Sequence, residues 1–274
     1  MSLAPLRSRS GRIKIDVLIP AIDKDLETLP FVIDAIRKQV KHPIGKMMIV
    51  SPNSPRIKAL CAQKKCTFVH ERTVLPITKK QIRYRSNRWE RSGWLLQQLL
   101  KLSGDRLGSS RYFLTMDADT VLIRPHVFWQ KGKPVFYCRS WSHPEYFRVS
   151  QRLMGRKRAA PSSFVAHYML FEKAKLAQMK KRMEARHGTR WYQAILRSID
   201  RSKQFGFSEF ELYGNFVYAA NPKGVVLKRC LNKSLNQSVK SISPKRIKAL
   251  ASTFRSLSFH KRRGYSLKPK GLRK

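Results

Sequence analysis

Residues 111–123 read RYFLTMDADTVLI, from Arg111 to Ile123, an apolar run that ends on two carboxylates and then resumes. Arg111–Met116 has the content of a short buried strand, and Val121-Leu122-Ile123 continues it beyond Thr120. Carboxylates that close a buried strand are costly unless something positive meets them. Residues two apart in extended backbone point the same way. Asp117 and Asp119 are therefore expected to converge on one cation. Hard oxygen donors suit Mn2+ or Mg2+, and such an ion in turn neutralises a diphosphate. By itself, the D-x-D spacing equally fits an Asp-rich turn that caps itself and holds no metal.

Upstream, Ile13–Ile19 is a β-rich run stopped by Pro20, followed by the polar Asp23-Lys24-Asp25. From Leu26 to Val40 the apolar residues Leu29, Ile33, Ile36 and Val40 recur at helical spacing. Met47–Val50 is a strand closed by the turn Ser51-Pro52-Asn53, and a helix over Pro55–Lys64 leads to a strand at Thr67–His70. Strand and helix thus alternate. That order implies right-handed crossovers and an α/β fold, a mixed but mainly parallel central sheet flanked by helices. Ligands of such sheets bind at the carboxyl ends of the strands, where Asp23, Asp25 and the Ser51 turn fall. Arg88–Leu102 reads as an amphipathic helix, its Trp and Leu residues inside and Gln97, Gln98 and Lys101 outside.

Downstream, Phe164–Phe171 is a strand candidate, and basic Glu172–His187 and Trp191–Asp200 are helices. A last helix, Pro244–Phe254, leads into a strand at Leu257–Phe259. With no internal repeat and no clean linker, residues 13–262 read as one domain between a disordered basic leader, 1–12, and a basic tail, 263–274.

The 274 residues carry 58 Lys and Arg against 16 Asp and Glu, a net charge of +42. No acid follows Glu211. A field of that sign draws polyanions: nucleic acid, anionic lipid, nucleotide-sugars or acidic glycans. It is also what a proteome of basic surfaces would produce. Cys61, Cys66, Cys138 and Cys230 lack paired C-x-x-C spacing, which argues against zinc and for reduced thiols in a cytosolic protein. Met1–Arg12 has no apolar segment of the secretory kind, and no run approaches the roughly 18 apolar residues of a membrane span. A cytoplasmic protein, free or peripheral on the inner membrane face, is expected.

Four further positions carry chemistry. Glu209 and Glu211, two apart among aromatic residues, are either desolvated acid–base groups or partners of arginine. His260 ends the last strand and precedes Lys261-Arg262-Arg263, so an imidazole ligand would stand beside phosphate-binding cations. As a lone histidine it reads equally as a surface residue. His167 is either a core histidine or a substrate contact.

The set of blocks IDVLIPAIDKDLETLP, SGWLLQQLLKL, FLTMDADTVLIRP, SFVAHYMLFEK and FSEFELYGNFV, over roughly residues 13–260, resembles a bacterial family of unknown function that is itself GT-A-like. The layout is similar to GT-A-fold glycosyltransferases of the glycogenin and galactosyltransferase kind. The resemblance implies a nucleotide-diphospho-sugar transferase fold and, residue by residue, a site. Asp117 and Asp119 match the D-x-D, with Asp119 the direct metal ligand and Asp117 serving ribose or metal. His260 matches the late third ligand. Ile19, Pro20 and Ala21 would face the base, Gln97 and Gln98 the donor, and Lys261 the phosphates. Glu209 and Glu211 would be catalytic, and His167 and Asn215 would meet substrate. Lys261-Arg262-Arg263-Gly264 stands where the glycogenin type has Gly-x-x-Lys-Pro-Trp, which leaves the phosphate contacts and the stereochemistry open.

The expected activity is metal-dependent transfer of a hexosyl group from a nucleoside-diphosphate sugar to a hydroxyl of a glycan or lipid-linked glycan. In an inverting reaction Glu209 or Glu211 would be the general base; in a retaining one they would orient substrate. The basic stretch 172–187 offers either a contact to an anionic membrane or a solvated helix face. The rivals are a nucleic-acid-binding protein, for which no binding motif is present, and a GT-A scaffold without catalysis.

Overall fold

The computed structural model describes residues 13–85 and 89–260. In chain order its strands begin with β1 (Ile15–Pro20), β2 (Ile44–Ser51), β3 (Thr67–His70), β4 (Tyr112–Met116) and β5 (Thr120–Leu122). Then come β6 (Trp129–Gln130), β7 (Lys133–Cys138), β8 (Tyr168–Glu172), β9 (Val226–Arg229), β10 (Asn232–Leu235) and β11 (Ser256–Phe259). The helices are α1 (Leu29–Gln39), α2 (Pro55–Gln63), α3 (Glu71–Val74), α4 (Lys79–Ile82) and α5 (Ser92–Leu102). They continue as α6 (Pro144–Met154), α7 (Lys173–His187), α8 (Trp191–Ser198), α9 (Glu209–Ala220) and α10 (Pro244–Leu250).

The five-stranded central sheet runs β3-β2-β1-β4-β8. Its first four strands are parallel, and β8 returns antiparallel beside β4. Alternation along β1 divides the core: Ile15, Val17 and Ile19 pack with α1 and α2, while Leu18 joins the cluster under α5 to α9. Both faces are covered, so every residue of β1 is buried. Pro30 and Pro55 start α1 and α2 where a missing N–H costs nothing, and the Ser54 hydroxyl caps α2 by accepting from Ile57 N at 3.2 Å. This mixed, mainly parallel architecture with helices on both faces is the one expected.

Two small sheets complete the chain. One runs β10-β11-β5 over a cluster of Ile123, Leu235, Val239, Ile242, Leu257 and Phe259; the other runs β6-β7-β9. The first is decisive for the site, because β11 pairs antiparallel with β5 and so carries residue 260 back to the D-x-D turn.

Some boundaries differ from expectation. The strand sought over 164–171 begins only at Tyr168, because His167 holds a left-handed backbone, φ +68°. The last helix stops at Leu250 and not Phe254. Helix α9 was not anticipated: Glu209-x-Glu211 looks strand-like by its spacing, and Gly214 weakens a helical reading. That glycine is required, because a Cβ there would enter the Phe164 ring. The leader 1–12 and the tail 263–274 lie outside the described residues.

Candidate functional site

At the carboxyl edge of the parallel strands, β1 ends at Pro20 and β4 at Met116. The chain then leaves strand geometry. Ala118 and Asp119 form a turn in which Thr120 N donates to Asp117 O at 3.3 Å. The extended backbone on which convergence of the two carboxylates was expected is therefore absent, and each turns to different partners. Among the described residues, no group of three or more His, Cys, Asp or Glu side chains is arranged to hold a metal ion.

Asp117 is closed off. Its Oδ1 takes the Lys101 ammonium and its Oδ2 faces His167 Nδ1 at 3.0 Å. Lys101 also reaches Glu209 Oε1 at 2.7 Å and lies over the Phe210 ring. Burial alone would push the Asp117 carboxyl up, but the Lys101 charge and the His167 bond outweigh it and hold it well below the usual carboxylate range. Burial likewise opposes the Lys101 charge, yet Asp117 and Glu209 together keep that ammonium above its ordinary value. For Glu209 burial wins: its pKa is raised, with Lys101 offsetting only part of the cost. One ammonium thus serves two carboxylates, and Glu209 is the one readier to hold a proton.

Lys101 is 2 % exposed, not on the solvent face where amphipathic reading put it. The signal was present: in SGWLLQQLLKL it is surrounded by Leu99, Leu100 and Leu102, all buried, so no face is left for water. Gln98 is also buried, its Oε1 accepting from Glu209 N at 3.1 Å, so it anchors the start of α9 and does not flank a donor. Gln97 is half-buried on the same helix.

Asp119 is open by comparison. Its Oδ2 stands 3.1 Å from His260 Nδ1, and its backbone oxygen accepts from Phe259 N at 2.9 Å. The Thr120 and Ser258 hydroxyls, 2.8 Å apart, lock the two strands beneath. Thus 141 positions of sequence close to one hydrogen bond. Neighbouring ligands at right angles on an ion with bonds of about 2.1 Å would stand about 3 Å apart. The Asp119–His260 pair therefore fits two positions of a divalent cation, oxygen and imidazole, as well as it fits a hydrogen bond. Asp117 does not fit beside them while Lys101 and His167 hold both its oxygens. The rings of His167 and His260 are 5.3 Å apart, so both histidines border the same space. A third acid joins them: burial pushes the Asp25 carboxyl up to about 6, against the help of Lys24 and the Ile22 N–H, and the charges of Asp119 and Asp117 add to the rise.

Several expected contacts take other roles. Ile19, Pro20 and Ala21 are buried in the core; the apolar residue presented at that lip is Ile22, 43 % exposed. Glu209 and Glu211 occupy the first turn of a helix, not a strand, so they point to different places. Glu211 is fully buried and bonded by the Ser163 hydroxyl, Ser142 Oγ at 2.9 Å and Asn215 Nδ2 at 3.2 Å. It is scaffolding, with no lone pair turned to a cleft. Asn215 is spent too: its Oδ1 accepts from Ala159 N and Ala160 N, tying the loop after α6 to α9. Lys261 lies outside the described residues.

Beside Ser142 the surface carries Trp141, 55 % exposed, above the Arg139 guanidinium at 4.6 Å and edge-on to His143. His143 in turn stacks on Phe205 at 4.2 Å. The sequence held no periodic signal for this platform, because it lies on the loop between β7 and α6.

A family model described as Family of unknown function (DUF6492) matches residues 14–243. No curated protein matches the sequence. Among solved structures, mouse xyloside xylosyltransferase 1 in its apo form is similar over 92 % of this chain and 99 % of its own, at 10 % identity and a TM-score of 0.50. The WbbM bifunctional glycosyltransferase, also apo, is similar over 94 % of this chain at 11 % identity and a TM-score of 0.51. This chain spans about half of that protein, 47 %. Both likenesses are of fold: the architecture is that of GT-A glycosyltransferases.

Proposed function

The chain belongs to the family of unknown function DUF6492, and on that premise, with its glycosyltransferase fold, we propose that it transfers a sugar from a nucleoside-diphosphate donor to an acceptor hydroxyl. The observation that carries this reading is the Asp119–His260 pair, joined across the whole chain at the ligand-binding edge of the sheet. The catalytic unit would be residues 13–262, between the basic leader and tail. In the reaction the bond from the anomeric carbon to the diphosphate breaks, the bond to the acceptor oxygen forms, and the hydroxyl proton must leave.

Asp119 and His260 would hold Mn2+ or Mg2+, which supplies charge neutralisation for the departing diphosphate. Asp117, fixed by Lys101 and His167, would orient the ribose or donor sugar and not the ion. Of the two glutamates proposed as acid–base groups, only Glu209 belongs to this cluster, and its raised pKa suits a proton acceptor. Ile22 takes the place of Ile19, Pro20 and Ala21 as the apolar contact for the base, while Gln97 and Lys261 remain donor contacts and His167 a substrate contact. Trp141 offers its face to an acceptor ring, so a glycan or lipid-linked glycan fits.

Calorimetry with UDP and GDP, each with and without Mn2+, tests the reading. Metal-dependent nucleotide binding is expected, followed by hydrolysis of a nucleotide-sugar. Nucleotide binding without hydrolysis would leave a scaffold that has lost catalysis. Tight, salt-sensitive DNA binding with no nucleotide affinity would replace the reading with a nucleic-acid protein.

A further inference from the structure

Helices α6, α7 and α9 border a cavity of 310 Å³. Its floor is apolar, with Phe147 and Met154 from α6 and Leu212 and Phe216 from α9. Its rim is cationic: Arg156, Lys157 and Arg158 from the loop after α6, Arg182 and Arg186 from α7. No acid lines it. Arg158 lies 4.5 Å from the Phe147 ring and Arg182 5.3 Å from the Phe216 ring, so charge and apolar floor meet directly.

The five rim cations form no ion pair with any carboxylate among the described residues. Elsewhere on α7 two of the lysines are compensated. Lys175 pairs with Glu172 at 3.3 Å, and Lys180, buried, with Asp105 at 2.5 Å. Residues 172–187, expected as either a membrane contact or a solvated helix face, thus carry cations of both kinds, paired and not. The uncompensated arginines, Arg182 and Arg186, are turned to this cavity. The opposing loop is held in place, since Asn215 binds Ala159 N and Ala160 N, and Arg158 Nε donates to Ala160 O at 2.7 Å. Preset cations around an apolar cavity select a ligand that carries both an anion and hydrocarbon.

We propose that the cavity docks an anionic phospholipid, its phosphate among the rim cations and the root of its acyl chains on Phe147, Met154 and Phe216, and so holds the protein on an anionic membrane. This goes beyond the nucleotide reading and stands without it.

The test is sedimentation with vesicles of phosphatidylcholine containing about one third phosphatidylglycerol. The triple variant Arg156→Glu, Lys157→Glu, Arg182→Glu alters side chains that make no hydrogen bond or ion pair among the described residues, and its melting temperature reports that it folds. It should lose about tenfold or more in vesicle affinity. A control triple with the same change of charge, Lys223→Glu, Lys240→Glu, Lys245→Glu, should lose less than about threefold. Phe216→Ser should weaken the binding that survives high salt. Equal loss in the two triples would reduce the effect to net charge and overturn the proposal, as would unchanged binding in the first. Inorganic phosphate that displaces the vesicles as effectively as phosphatidylglycerol would make the cavity a simple anion site and also overturn it. Nucleotide binding is measured separately, so either result stands alone.

Discussion

Asp117 and Asp119 flank a single alanine, yet the molecule treats them in opposite ways. Asp117 is held from within, by the buried Lys101 ammonium and a hydrogen bond with His167. Asp119 has a histidine and the Thr120 hydroxyl beside it and, among the described residues, no ammonium, and burial, with the charges of both aspartates adding to it, pushes its neighbour Asp25 up. An acid whose two oxygens are already taken can orient a neighbour but leaves no place for an ion; the acid without an ammonium is the one proposed to take a cation. The D-x-D spacing therefore does not make both residues ligands.

The largest expected effect breaks the closed side. Lys101→Met leaves Asp117 and Glu209 buried without their cation and should cost about 3–5 kcal/mol in urea unfolding. Adding Glu209→Gln should return part of that. On the open side, Asp119→Asn or His260→Ala should alter stability by less than about 1 kcal/mol while weakening Mn2+-dependent UDP binding about 100-fold. If the two sides respond alike, the contrast between them is wrong.

Asp25 sharpens the same contrast through pH. Its folded pKa, about 6, lies above the unfolded value of about 3.9, so the native state gains from the protonated form. That gain is fully present below pH 4 and is lost as pH rises through 6. Asp25→Asn should therefore be more stable than the parent above pH 6, by about 2 kcal/mol in metal-free buffer, with the difference fading below pH 4. Millimolar Mn2+ should shrink it by stabilising the parent. The smallest effect belongs to the platform: Trp141→Ala should raise the acceptor KM about threefold to tenfold, with the melting temperature unchanged.

Most of the sheet was legible in the sequence, because buried parallel strands are continuous apolar runs and the intervening helices keep their spacing. Thr67–His70 is seen residue for residue, and Ser92–Leu102 ends where its Leu pattern ends. The site was legible in its members more than in its geometry. Reading Asp117-Ala118-Asp119 as extended applied strand periodicity to a turn, and the helix that begins at Glu209 was not anticipated. Lys101 was hidden by the habit of assigning lysine to water, although the leucines around it denied it any. Asn215 and Gln98 are polar residues that staple α9 to its neighbours, a use no local pattern announces. Trp141 sits on a loop, where spacing carries no information.

Strand β11 has a consequence for how such a protein comes into being. Asp25, Lys101, Asp117, Asp119, His167 and Glu209 all lie at or before position 209, whereas His260 arrives only when the final described strand docks on β5. During synthesis the parallel sheet can mature before the Asp119–His260 pair exists, so that pair forms late, once residues 256–260 have emerged. A chain cut short before residue 256 would keep the strands of the central sheet and lack the pair.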